Sequence, residues 1–222
     1  MELIQKNNYY RLFCILVFIS LFVLLMKTSI LAYQPAVTET QSEEQESTEV
    51  TPELIRQKYV TLDQEDDVQL ISDIELDTPL DFDTAYVLVA YSRKFNIRPS
   101  LLLAMIELES NFDQYCIGTH RDRGFLQIIP STEKWLVEVF GEELNIEYNP
   151  DEIFEADYNI GLGAAYIHLL QEAYGDDINR ILSEYNRGPY NLKKYYEAHH
   201  TYETTYSRSI LSREKKYEQF NR

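Results

Sequence analysis

The chain has 222 residues, room for one domain of ordinary size plus a leader, and its 45% hydrophobic content suffices for a core. Its net charge of -17 reflects 37 acids against 20 bases, a field that opposes duplex nucleic acid, whose phosphates require clustered Lys and Arg. The acidity is uneven: residues 39–83 hold fifteen acids against Arg56 and Lys58, whereas residues 84–222 hold twenty-one against fifteen bases.

Lys6 and Arg11 precede an unbroken apolar run at residues 12–26, and Ile30-Leu-Ala-Tyr33 follows. Residues 1–33 therefore read as a signal peptide cleaved after Ala32, or as a membrane anchor. Counted through Tyr33, the stretch reaches across a hydrocarbon layer of about 30 Å at about 1.5 Å per residue. Positive charge before it and acid after it favour an inside N-terminus. The rest of the chain is expected outside the membrane in a single-pass arrangement, or secreted if the leader is removed. Residues 34–78 are rich in Glu, Gln, Thr, Ser and Asp with little apolar period, and read as an acidic disordered linker.

Residues 79–222 read as a helical globular domain with functional loops. A first helix spans 83–95, and Pro99 opens a second, where its missing N–H costs nothing. A third runs from Pro130 through Trp135 to Phe140 and is expected to end at Gly141. A fourth covers 156–174, with Gly175 as its stop. A fifth, 177–185, is expected to halt at Asn186-Arg-Gly-Pro189, and a last one to span 201–220 with Tyr202, Tyr206, Ile210 and Tyr217 near helical spacing. No alternating strand pattern is present, so the fold class is all-α. Cys14 and Cys116 lie in unlike settings, and His120, His168, His199 and His200 are scattered, so no disulfide, metal site or cofactor is expected.

Chemistry concentrates in three clusters. On the second helix Leu102, Met105, Ile106 and Glu109 fall at i, i+3, i+4 and i+7, which puts Glu109 on the apolar face and Glu107 nearly opposite, toward solvent. Glu109-Ser110-Asn-Phe112 is followed by Gly124-Phe-Leu-Gln127 with Pro130 and Thr132, and then by Tyr185-Asn186-Arg-Gly188. Taken singly, each has an ordinary structural explanation: a buried ion pair, a turn glycine, a helix-ending turn.

In this order and spacing the clusters resemble the soluble-type lytic transglycosylase family, whose catalytic domain has a lysozyme-like fold. That family runs Glu-Ser-x-Phe, Gly-Leu-Met-Gln fifteen residues after the Glu, Pro-x-Thr, and later Ala-Tyr-Asn-x-Gly. Here Glu109 and Gly124 are fifteen apart, and Glu184-Tyr-Asn-Arg-Gly188 supplies the last element. Asn159-Ile-Gly-Leu-Gly163 resembles the family's Asn-Ile-x-x-Gly segment. The likeness covers about residues 84–196.

The resemblance implies that Glu109 is the sole acid/base, that Ser110 and Gln127 shape the site around the scissile bond, and that Tyr185 and Asn186 contact sugar and steady the Glu. It implies peptidoglycan glycan strands as substrate and cleavage of the MurNAc-β-1,4-GlcNAc bond with closure of a 1,6-anhydro ring. The muramic C6 hydroxyl then replaces the water that a second carboxylate would activate. Tyr158, Tyr166, Tyr185, Tyr190, Tyr195 and Tyr196 are candidate sugar platforms, most of them expected to be packing. By analogy with small anchored members, envelope-spanning machinery is a candidate partner.

The chain departs from the pattern at Gly118, where the family often has Ser, and at Arg121-Asp122-Arg123. Asp122 is a candidate second carboxylate, read either as a loop partner of Arg121 or Arg123 or as a group positioning water. The rival functions are accordingly a hydrolytic muramidase, with Asp122 or Asp113 assisting Glu109, and a glycan-binding assembly factor.

Overall fold

In the computed structural model, which describes residues 65–222, seven α-helices follow one another. They are α1 (Glu65–Asp77), α2 (Phe82–Lys94), α3 (Pro99–Ser110), α4 (Pro130–Leu144), α5 (Ala156–Tyr174), α6 (Ile178–His199) and α7 (Thr205–Glu214), with 3-10 turns at Glu152–Phe154 and Glu218–Phe220. Among the described residues there is no strand, only the bridges Ile117–Arg123 and Arg123–Ile128 that fold the loop 111–129 back on itself. The leader 1–33 and residues 34–64 of the expected linker lie outside the described residues. No described helix is long and apolar enough to cross a membrane.

A helix apolar on every side has to be buried on every side. Residues 101–106 of α3 are all at most 1% exposed, and the other helices are arranged around them: α7 and α2 pack on α3, α5 packs on α2, and α4 and α6 flank α5. The ends of α3 are fixed chemically. Pro99 sits at its first turn, Arg98 Nε donates to Glu214 on α7 at 2.7 Å, and Asn111 closes the helix in the left-handed region at φ 52°. α7 begins with a capping box in which Thr204 and Ser207 satisfy each other's backbone N–H groups.

Four boundaries differ from expectation. Residues 65–77, assigned above to the linker, form α1 and pack on α2. Leu70, Ile71 and Ile74 are fully buried there, each contributing about 1.5–3 kcal/mol of hydrophobic stabilisation. Arg93 on α2 also grips Asp67 at 2.8 Å. Three apolar positions on one narrow stripe, surrounded by acids, leave too weak a pattern to distinguish a docked helix from a spacer. α4 passes through Gly141 and ends three residues later, because Asn145 adopts the left-handed cap at φ 53°. The last segment is helical only over Thr205–Glu214, followed by a separate turn at Glu218–Phe220.

The fourth difference shapes the site. α6 does not stop at Asn186-Arg-Gly188-Pro189; it breaks there and restarts. Gly188 takes φ 69° and ψ 163°, a conformation closed to most side chains, and Pro189 then begins a new helical stretch as a residue with no N–H to satisfy. The redirected half runs on to His199.

Candidate active site

Glu109 lies in the last turn of α3, where the buried helix reaches a groove of about 810 Å³. Burial penalises its ionised form and is the main reason that its pKa is raised to about 7. A hydrogen bond from the Tyr206 hydroxyl pulls the other way, and the negative charge of Asp122 adds to the rise. The phenol itself is pushed well above 10 by burial and by Glu109, so it stays a donor. Two residues earlier the same helix carries the opposite case. Glu107 is not solvated as expected: it is 17% exposed and takes bonds from Lys216 Nζ at 2.6 Å and Tyr217 Oη at 2.8 Å. Burial alone would raise Glu107, but these partners outweigh it and its pKa is lowered. One helix thus holds one carboxyl able to give up a proton near neutrality and one fixed as an anion.

The loop 111–129 forms the wall facing Glu109. Asn159, buried on α5, holds this loop from behind with two bonds and ties it to the neighbouring 3-10 turn with a third: its Oδ1 accepts from Leu126 N at 2.8 Å, and its Nδ2 donates to Arg123 O at 3.0 Å and to Ile153 O of the turn at 2.9 Å. Gln127 occupies the left-handed region at φ 47°, and its Nε2 is spent on the loop, donating to Gly124 O at 2.8 Å and Cys116 O at 3.1 Å. Arg123 pairs with Glu133, whose side chain is fully buried and also accepts from Tyr158 Oη at 3.2 Å. Asp122 is therefore not Arg123's partner. Its Oδ1 accepts from His120 N at 2.9 Å, and a Cβ at Gly118 would lie 1.9 Å from its Oδ2. The Gly118 and Asp122 departures belong together, since a side chain at 118 would collide with the carboxylate. Burial raises the Cys116 thiol, as do the charges of Asp113, Asp122 and Glu109, which is the reverse of nucleophile activation.

The groove collects most of the residues singled out by sequence. Glu109, Asp122, Gln127, Tyr185 and Asn186 line it; Ser110 does not, because its buried Oγ is turned back onto Ile106 O at 3.1 Å. Tyr185 sends its hydroxyl to Leu126 O at 2.9 Å and lays its ring near Tyr166, which meets Trp135 edge-on. The hydroxyl that steadies Glu109 comes from Tyr206, a residue that the sequence marked only by its near-helical spacing with Tyr202, Ile210 and Tyr217. Its one signal was a helical spacing to Ile210, with which it shares α7; nothing local links it to a residue 97 positions away.

That bond makes a prediction. Because it stabilises the ionised form, Tyr206→Phe is expected to raise the Glu109 pKa further, read as an upward move of that carboxyl's titration by NMR. A titration left in place would separate the Tyr206 hydroxyl from the ionisation of Glu109.

The family model described as Transglycosylase SLT domain matches residues 87–207, more than half of the chain. The chain belongs to this family. The SLT match runs from α2 into the first turn of α7 and so includes Glu109, the loop, Asn159, the kinked α6 and Tyr206. A membrane-bound lytic murein transglycosylase C from Haemophilus ducreyi is 28% identical over 119 residues, covering 50% of this chain and 32% of that protein. Its counterpart from Histophilus somni is 31% identical over 103 residues, covering 43% and 28%. The chain thus spans no more than 32% of the length of these relatives. Among solved structures, an inactive glutamate-to-glutamine mutant of lytic transglycosylase Slt from Pseudomonas aeruginosa superposes with a TM-score of 0.55 over 68% of this chain and 27% of that one, at 20% identity. At that identity the likeness is one of fold, the helical lysozyme-like fold of SLT domains.

Proposed function

We propose that this chain is a peptidoglycan lytic transglycosylase that cleaves the β-1,4 bond between N-acetylmuramic acid and N-acetylglucosamine. The observation that carries the reading is Glu109, a groove-lining carboxyl whose pKa of about 7 lets it hold a proton and also accept one at neutral pH. Protonated Glu109 donates to the glycosidic oxygen as the C1–O bond breaks and the N-acetylglucosamine 4-hydroxyl leaves. The resulting carboxylate, stabilised by Tyr206, takes the proton of the muramic C6 hydroxyl as that oxygen bonds to C1. The 1,6-anhydro ring closes, Glu109 is protonated again, and no water is consumed. Gln127 and its neighbours supply a rigid wall, Asn186 and the Tyr185 edge contact sugar, and Ser110 supports the end of α3 from behind.

A hydrolytic reading has one specific support, since Asp122 lines the same groove and its charge is felt at Glu109. In that reading Asp122 orients water at C1. Digestion of purified peptidoglycan followed by mass spectrometry separates the two: the lyase leaves anhydromuramyl ends, lighter by one water than the reducing ends left by a muramidase. Reducing ends alone would sink the transglycosylase mechanism, and no cleavage at all would favour a glycan-binding assembly role. We also assign the domain to the outer side of the membrane, carried by residues 1–33. The support is the apolar run with its flanking charges, together with the membrane-bound description of the Haemophilus ducreyi relative.

A further inference from the structure

We propose that the second half of α6 is a cationic wall that recognises the carboxylates of the peptide stems on N-acetylmuramic acid, so that the groove selects stem-bearing strands over bare glycan. This rests on peptidoglycan as the substrate. After the break at Gly188, the groove is lined by Asn191, Lys194, Tyr195, Ala198 and His199, at i, i+3, i+4, i+7 and i+8, one continuous helix face. Arg187, just before the break, lines it too.

The two cations are held ready without a protein counter-charge. The Arg187 guanidinium lies 4.8 Å from the Tyr195 ring centre and the Lys194 ammonium 4.4 Å from that of Tyr190, rings that restrict each head group yet leave its hydrogen-bond donors free. Among the described residues neither has a carboxylate within ion-pairing distance, whereas Lys193, off the groove face, approaches Glu197 at 4.0 Å. In a chain of net charge -17, two unpaired cations turned into one groove answer no need of the protein itself. The sugar rings of the glycan are uncharged. Its carboxylates lie on the stems, joined through the lactyl group of each muramic residue.

Binding is measured in a Glu109→Gln background so that no cleavage intervenes. The probes are peptidoglycan strands freed of phosphate polymer by hydrofluoric acid, and the same strands stripped of stems by an amidase, with the lactyl carboxylate that this hydrolysis frees then capped as its methylamide so that the bare strand carries no charge. We expect stem-bearing strands to bind roughly five- to tenfold tighter at low salt, as two partly exposed charge pairs allow. The preference should collapse toward equality at about 0.5 M salt, where screening is short-ranged. Adding Arg187→Gln and Lys194→Gln should abolish the preference while leaving the melting temperature unchanged, as both side chains are exposed. Equal affinity for the two strands, binding of neither, or a preference that survives the double substitution overturns the proposal. Because cleavage is not read, this outcome is independent of the product analysis that tests the reaction itself.

Discussion

Glu109→Gln is expected to lower turnover on peptidoglycan by about 10³-fold or more, because the amide can neither give up nor recover a proton. It is also expected to make the protein more stable. The Glu109 pKa rises from 4.5 to about 7 on folding, so the native state binds the proton more tightly than the unfolded chain. Below about pH 4.5 both states are protonated and the group contributes no difference. As pH rises from there through 7, the unfolded carboxyl ionises first and stability is lost, by up to about 3 kcal/mol above pH 7. An uncharged amide of the same shape, still able to accept from Tyr206, escapes that loss. The variant should therefore melt roughly 5–10 °C above the parent at pH 8 and close to it at pH 4.5, on the usual relation between free energy and melting temperature. Turnover within tenfold of the parent would remove Glu109 from the chemistry. A lower melting point at pH 8 would make it a structural residue instead.

The two effects together describe what the fold does with this residue. Tyr206 lowers the pKa while burial and Asp122 raise it, so the groove balances opposing influences rather than simply drying the carboxyl. The contrast with Glu107 is a matter of partners: Lys216 and Tyr217 reach one carboxylate, and a phenol alone reaches the other.

Glu109 was legible in sequence because its position depends on local rules. Pro99 opens its helix, an apolar run buries it, and fifteen residues later the Gly124 turn leads to Gln127, which lines the same groove. The helical class followed from the same periodicities. What sequence hid were pairings made across the fold. Tyr206 meets Glu109 from another helix, and Arg123 meets Glu133 rather than the adjacent Asp122. Gly118 looks like a missing serine until Asp122 is seen against it. The far groove wall was hidden for a different reason, since Gly188-Pro189 is both a stop signal and, once the chain has turned, a start signal. Periodicity alone does not say which of the two applies.

Asn159 carries the second large expected effect. Its side chain, fully buried, ties α5 to the backbone of the loop and of the 3-10 turn beside it, and all three of its partners are main-chain groups. Asn159→Ala strands the Leu126 N–H and the Ile153 carbonyl away from water, whereas Arg123 O keeps its bond from Ile128 N at 3.0 Å; at about 1–3 kcal/mol for each buried group left unsatisfied, unfolding free energy should fall by roughly 2–4 kcal/mol. Activity should fall further than stability explains, even at temperatures where the variant is folded. Leu126, whose N–H Asn159 holds, offers its carbonyl to Tyr185, and Gln127 follows it directly. A loosened loop therefore misplaces both sides of the groove, and kcat/KM should drop by about 10²-fold through KM and kcat together. Asn159→Asp supplies the chemical control. It keeps the acceptor for Leu126 N–H but loses both donors and buries a charge, so it should be as damaging as alanine at pH 8. Acidification should restore part of its stability, because a protonated carboxyl regains one donor and sheds the charge. Urea unfolding at pH 5 and pH 8 measures the difference. If Asn159→Ala costs less than about 1 kcal/mol, the loop is held by its own turns, and the rigidity of the site owes little to α5.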